Sequence, residues 1–346
     1  MTANKISITA NTDLRSSPEG IHLVGGGGGS RAILALAGII YALSKAGLLK
    51  FKSIGGISGG AIVTLMLAAG MSAREMVKLA IDIDFASLMT RRTSPFWLFY
   101  ALSFKERFET TLPRWSVFST EKVAGWIDQR VASWPESYWT MAIDEAHKQI
   151  IFTAGGVYRR YHDGRCEKIS DRPARVSDAL RCSMAVPGFI SPHSWNGQML
   201  WDGGMSWDGL CPVGIPLSIM GARPEDVIGC HVGARQLPGF KNTLKKSWER
   251  ILRFGSSFTE EEKDPHRWEA LGVTIVHPEL NKFGSLKFSL SADEKWDAVI
   301  SSSLSTARTL AGKGLISAAK LQELESLAGD RQAFIADCSE TSNSKH

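Results

Sequence analysis

Apolar positions come in two repeated blocks near the start of the chain. Residues 21–24, IHLV, form a short apolar run suited to a buried strand, and they lead into GGGGGSR. From there to about Ala46 the apolar residues recur with helical spacing. The order then repeats, with FKSIG as strand, GISGG as turn and AIVTLMLAAG (61–70) as helix. Strand, glycine turn and helix, twice in succession, predict an α/β architecture with a parallel sheet and crossover helices.

Ser72 and Glu75 form a capping-box pattern that opens the next helix, because serine and glutamate side chains reciprocally satisfy free backbone donors. Between about Phe85 and Thr120 the pattern breaks. SPFWLFYALSFKERFETTLPRW is aromatic, proline-punctuated and basic, and reads as an insertion at about 85–118. Its stretch from Phe96 to Phe104, with Trp97 and Tyr100 and flanking Arg91, Arg92, Lys105 and Arg107, suits either an interfacial lid or a helix packed on the core. A helix is expected from Thr120 to about Trp134. KQIIFTA (148–154) and VYRRYHDGRCEKI (157–169) alternate as strands around an Asp163-Gly164 hairpin turn. Ser177 is expected to cap a short helix through Met184, and QMLWDGG, DVIGCHVG and VTIVHP are further strand candidates. Ser291 and Glu294 form a second capping box before a helix to about Gly312. Polar residues 1–20 and 329–346 predict a loose N-terminal arm and a frayed C-terminal tail around one domain at 21–328.

Composition narrows the function classes. With 346 residues, 44% hydrophobic and 22% charged, the chain can bury a large core. Its net charge of +5 is dispersed, and without an aromatic-and-basic RNP-type motif a nucleic-acid role is disfavoured. Cys166, Cys182, Cys211, Cys230 and Cys338 show no CxxC spacing and cannot all pair, so they read as reduced thiols of a cytosolic protein. No apolar stretch reaches the roughly 18–20 residues of a membrane span, and the first twenty residues lack the apolar core of a signal peptide. The expectation is a cytoplasmic protein with peripheral membrane contact.

The two glycine turns carry the candidate chemistry. GGGGG at 25–29 lacks the acidic residue about 20 positions on that a dinucleotide site needs, and lacks the Gly-Lys-Ser/Thr ending of a Walker loop. It leaves a row of backbone N–H groups at a helix N-terminus, which can hold a phosphate or the oxyanion of an attacked carbonyl. Gly56-Ile57-Ser58-Gly59-Gly60 fits G-x-S-x-G, the turn that lifts a nucleophilic serine above a sheet edge, with Gly56 and Gly60 flanking the elbow. A serine hydroxyl needs a base. His193, His231, His266 and His277 all follow Ser58 and would allow a Ser-His-Asp triad. Asp202, at a strand end before two glycines in WDGG, is the stronger candidate, with Asp208 as the fallback.

Taken together these motifs resemble the patatin-like phospholipase family. GGGGGSR resembles its oxyanion motif, GISGG its serine elbow, SDALRCSMAVPGFISP (177–192) the segment before its catalytic aspartate, and WDGG its aspartate motif. The likeness extends over about residues 20–320. It departs at Ala32, where the oxyanion motif usually has a glycine, and in GGMSWDGLCPV, which is longer than usual before its proline. The resemblance implies a three-layer α/β/α fold with a central, mostly parallel sheet. It further implies a phospholipase A or lysophospholipase type of acyl hydrolase that uses a Ser/Asp dyad without histidine. Carried over by position, Ser58 becomes the nucleophile, Asp202 the base, and Gly27, Gly28, Gly29 and Arg31 the oxyanion hole. The implied partner is membrane phospholipid, with room for an activating ligand or protein, and no cofactor or metal is implied. The alternatives are the triad esterase and a regulated binding module with little turnover.

Overall fold

A computed structural model describes residues 20–92, 116–232, 263–278, 280 and 289–339. The aromatic stretch from Phe96 to Phe104, with Lys105 and Arg107, and nearly all of the N-terminal arm lie outside the described residues.

The strands are β1 (Ile21–Gly25), β2 (Phe51–Gly56), β3 (Thr90–Arg91), β4 (Ser116–Ser119), β5 (Tyr138–Ile143), β6 (Gln149–Thr153) and β7 (Gly156–Arg160). They continue with β8 (Cys166–Ser170), β9 (Gly188–Ile190), β10 (His193–Trp195), β11 (Gln198–Asp202), β12 (Val227–Cys230) and β13 (Thr274–Val276). The helices used below are α1 (Gly29–Lys45), α2 (Gly59–Ala68), α3 (Ala73–Asp82), α4 (Glu121–Asp128), α5 (Val176–Ser183), α6 (Gly214–Ile219), α7 (Ala292–Gly312), α8 (Ala318–Gly329) and α9 (Arg331–Ser339).

The central sheet runs β13-β12-β1-β2-β5-β6-β7-β8. From β13 to β5 every pairing is parallel. The hairpins β6, β7 and β8 then extend it antiparallel, and β11 joins β5 antiparallel. A small separate sheet orders β3-β4-β9.

Strand periodicity sends alternate residues to opposite faces. Leu23, Ile54 and Tyr138 pack under α1, α2, α3, α7 and α9 in one cluster. Their neighbours Val24, Trp139 and Met141 pack with Ile215 and Ile219 of α6 on the other side. Helices therefore cover both faces of the sheet. α1 is buried from Ser30 to Leu43 on all sides, as an apolar helix between the sheet and α7 must be. α3 instead buries Ala73, Met76, Val77 and Ala80, one stripe at helical spacing, and its predicted Ser72–Glu75 capping box is formed. Gly55 serves packing rather than turning. It pairs with Trp139 across the β2–β5 ladder, and a Cβ there would lie 1.9 Å from the indole.

Three expectations differ from the structure. Within the stretch expected to fray from residue 329, Arg331–Ser339 is a packed helix. Phe334 and Cys338 of α9 lie one turn apart and are buried, with the Phe334 ring 4.7 Å from that of Tyr41. Asp337 receives Lys45 Nζ at 2.6 Å, Arg74 at 3.1 Å and the Tyr41 hydroxyl. This single apolar stripe is hidden by the polar composition around it. The helix after Thr120 stops at Asp128, well short of Trp134. Ser177 is buried inside α5, whose N-cap is Arg175.

Candidate active site

The turn between β2 and α2 holds Ser58 at φ 53° and ψ −132°, a backbone conformation that costs a non-glycine residue about 1–3 kcal/mol. Surrounding contacts hold it there. The Ser58 amide donates to the Ser183 carbonyl at 3.1 Å and to the Ser183 hydroxyl oxygen at 3.2 Å. The Ile57 amide donates to the Gly25 carbonyl at 3.1 Å, which ties the elbow to β1. Side chains are excluded beside it, because a Cβ at Gly60 would lie 2.3 Å from the Gly26 carbonyl oxygen.

The first glycine turn lies directly against this elbow. A Cβ on Gly27 would lie 3.4 Å from the Ser58 Cβ. Its amide is occupied, however, donating to the Leu210 carbonyl at 2.8 Å. The Gly27 amide is thus engaged within the protein. Gly28, at φ 144°, and Gly29, at φ 60°, direct their amides to no acceptor among the described residues, and the same holds for the Gly59 amide that opens α2. Arg31 is buried, and its NH2 group donates to the Val232 carbonyl, strapping the loop to the chain beyond β12.

Asp202 ends β11 and is buried. Its amide donates to the Ala185 carbonyl at 3.0 Å, and its Oδ1 accepts the Gly204 amide at 2.8 Å. Oδ2 is buried and closes no hydrogen bond. Burial pushes the carboxyl up to about 6, against the opposing pull of the Gly204 amide and of the neighbouring Ser58 side chain. Ser58 thus bears electrostatically on the Asp202 carboxyl, while Oδ2 remains without a hydrogen bond. A carboxylate near neutrality with one oxygen unpartnered can take a proton from a hydroxyl.

The other candidates are engaged elsewhere. Asp208, the fallback base, is buried and accepts Arg160 at 2.7 Å and Gln149 at 2.9 Å through Oδ2, with Arg267 3.4 Å from Oδ1. His193 pairs with Asp178 at 3.0 Å. His231 and His277 meet at 3.1 Å, and His266 stacks on His277 with ring centroids 4.3 Å apart. Among the described residues no histidine hydrogen-bonds Ser58 or Asp202, and no cluster of His, Cys, Asp or Glu is arranged to hold a metal ion.

Sequence reasoning missed Ser183, Ala185, Leu210 and the Gly59 amide. Ser183 and Ala185 do lie in the SDALRCSMAVPGFISP segment singled out above, but nothing local distinguishes residues whose partners are over a hundred positions away or at the far end of a loop.

A family model described as Patatin-like phospholipase matches residues 23–212. No curated protein sequence matches the chain. Among solved structures, VipD from Legionella pneumophila is similar at 14% identity and a TM-score of 0.46, over 93% of this chain and 76% of that one. The type III effector ExoU of Pseudomonas aeruginosa is similar at 13% identity and a TM-score of 0.38, over 95% of this chain and 65% of that one. Human GIVD cytosolic phospholipase A2, solved with methyl gamma-linolenyl fluorophosphonate, is similar at 14% identity and a TM-score of 0.35, over 90% of this chain and 59% of that one.

Proposed function

The chain belongs to the patatin-like phospholipase family, and from that premise we propose that it hydrolyses acyl esters of membrane phospholipids with Ser58 as nucleophile and Asp202 as base. The observation that carries this reading is the pairing of a strained, elbow-borne Ser58 with a buried Asp202 carboxyl raised to about 6.

Asp202 takes the hydroxyl proton as Ser58 Oγ bonds to the ester carbonyl carbon. The carbonyl oxygen, now negative, meets the unengaged amides of Gly28, Gly29 and Gly59 at the N-termini of α1 and α2, where both helix dipoles favour negative charge. The ester C–O bond then breaks, and Asp202 returns the proton to the departing lysolipid oxygen. A water molecule next gives its proton to Asp202 and attacks the acyl-serine. Collapse of that second intermediate frees the fatty acid, and the proton passes back to Ser58 Oγ. A solvated aspartate would be a feeble base at neutral pH, so burial of Asp202 is what makes the first proton transfer feasible.

Incubation with a fluorophosphonate probe, followed by peptide mapping, tests this directly. Covalent label on Ser58, absent after Asp202→Asn, is the expected result, whereas label on another serine or none would refute the assignment.

A further inference from the structure

We propose that Ser183 is a positioning residue that, through the turn ending α5, holds nucleophile and base in register; the inference rests on the Ser58/Asp202 reading. Both groups hang from one short stretch of chain. The Ser58 amide is received by the Ser183 carbonyl and hydroxyl oxygens, at 3.1 and 3.2 Å. Two residues on, the Ala185 carbonyl receives the Asp202 amide at 3.0 Å. The turn is itself braced, since the Met184 amide donates to Leu180 at 3.0 Å, Ala185 to Cys182 at 3.3 Å and Val186 to Met184 at 2.8 Å. The spacing of two residues 144 positions apart (202 − 58) is therefore set across three consecutive residues.

The hydroxyl of Ser183 has a specific use there. Ser183 is fully buried, and a buried hydroxyl is costly unless it is hydrogen-bonded. Alanine would fill much the same space, so packing does not call for the oxygen. Its bond goes to the amide of the one residue whose backbone conformation is strained for catalysis. A three-centre bond restrains the tilt of that peptide more tightly than the carbonyl alone. Loss of Oγ leaves the carbonyl link and the fold in place but lets the Ser58 peptide relax.

Wild type, Ser183→Ala and Ser183→Cys would be compared by the rate of fluorophosphonate labelling at Ser58, by kcat and KM on phosphatidylcholine vesicles, and by thermal unfolding. The cysteine variant keeps the shape with a weaker acceptor, and it decides the matter if the alanine variant does not fold. In Ser183→Ala, labelling rate and kcat should fall together, roughly 3- to 10-fold, the scale of one neutral hydrogen bond. KM should stay within about twofold, and the cysteine variant should fall between. Wild-type labelling and kcat in the folded variants, or a loss confined to thermal stability, would overturn the positioning role. If wild type itself is not labelled at Ser58, the dyad reading fails first and this inference falls with it.

Discussion

A Cβ on Gly59 would lie 2.3 Å from the carbonyl oxygen of Gly29. Gly59, directly after Ser58, and Gly29, the last glycine of the first turn, are thus in backbone contact, closer than any side chain permits. The two glycine-rich stretches are halves of one site, brought together because β1 and β2 are adjacent parallel strands whose C-terminal ends lie side by side. Helix N-termini from both meet beside Ser58.

The first prediction concerns that junction. At Gly28 a Cβ would find ordinary contacts, 3.4 Å from Ala32 and 3.6 Å from Val232, so a substitution there is strained only by its φ of 144°. Gly28→Ala should therefore shift the loop without unfolding the protein. Losing one oxyanion donor costs about 2.7–4 kcal/mol, so kcat should drop by roughly 100- to 1,000-fold with KM little changed. Steady-state kinetics on phospholipid vesicles check it.

Asp202 should affect stability and activity in opposite senses. Its carboxyl is raised to about 6 by burial, so the folded state binds the proton more tightly than the unfolded chain does. The associated stabilisation is complete below the ordinary carboxylate range and is lost as pH rises through about 6. A rise of about two pH units corresponds to about 3 kcal/mol. Asp202→Asn should then be more stable than wild type at pH 8 by an amount of that order, with the gap closing near pH 4. Urea unfolding at the two pH values measures it. In wild type, kcat/KM should climb with pH through about 6 as the base ionises.

Asp208 should behave the other way. Its carboxylate is buried with Arg160 and Gln149, and Arg267 stands at its other oxygen. Asp208→Ala leaves the buried Arg160 without its counter-ion, a change that typically destabilises by about 3–5 kcal/mol. Thermal unfolding at neutral pH should show a large drop in midpoint.

The histidines separate a dyad from a triad. His193, His231, His266 and His277 are bound to Asp178, to Glu269 or to one another. Single alanine substitutions should each leave kcat within about threefold of wild type, since none removes a proton acceptor from Ser58. His231 and His277 are held below the ordinary imidazole range by burial, His231 at about 4. The stability they contribute is present above the ordinary histidine range and is lost as pH falls below it, for His231 through about 4, so their replacement should shift the acid-unfolding midpoint, not the rate.

Much of this arrangement is legible from local pattern. β1–α1 and β2–α2 announce themselves by strand, glycine turn and helix, and both capping boxes form where Ser72 and Ser291 stand. The hairpin at Asp163-Gly164 and the strand leading to Asp202 follow from alternation and turn chemistry. What is not legible depends on contacts remote in sequence. Nothing near Gly27 says that the Leu210 carbonyl will take its amide. Nothing near Asp208 says that Arg160 will neutralise it. α9 looks like a polar tail because only Phe334 and Cys338 face inward.

The central claim is that Ser58 attacks a lipid ester and Asp202 takes its proton. Mass spectrometry of the products released from phospholipid vesicles by wild type, Ser58→Ala and Asp202→Asn tests it most directly. Free fatty acid with matching lysolipid from wild type, and neither above background from the two folded variants, is the predicted result. Undiminished fatty-acid release by Ser58→Ala would contradict it.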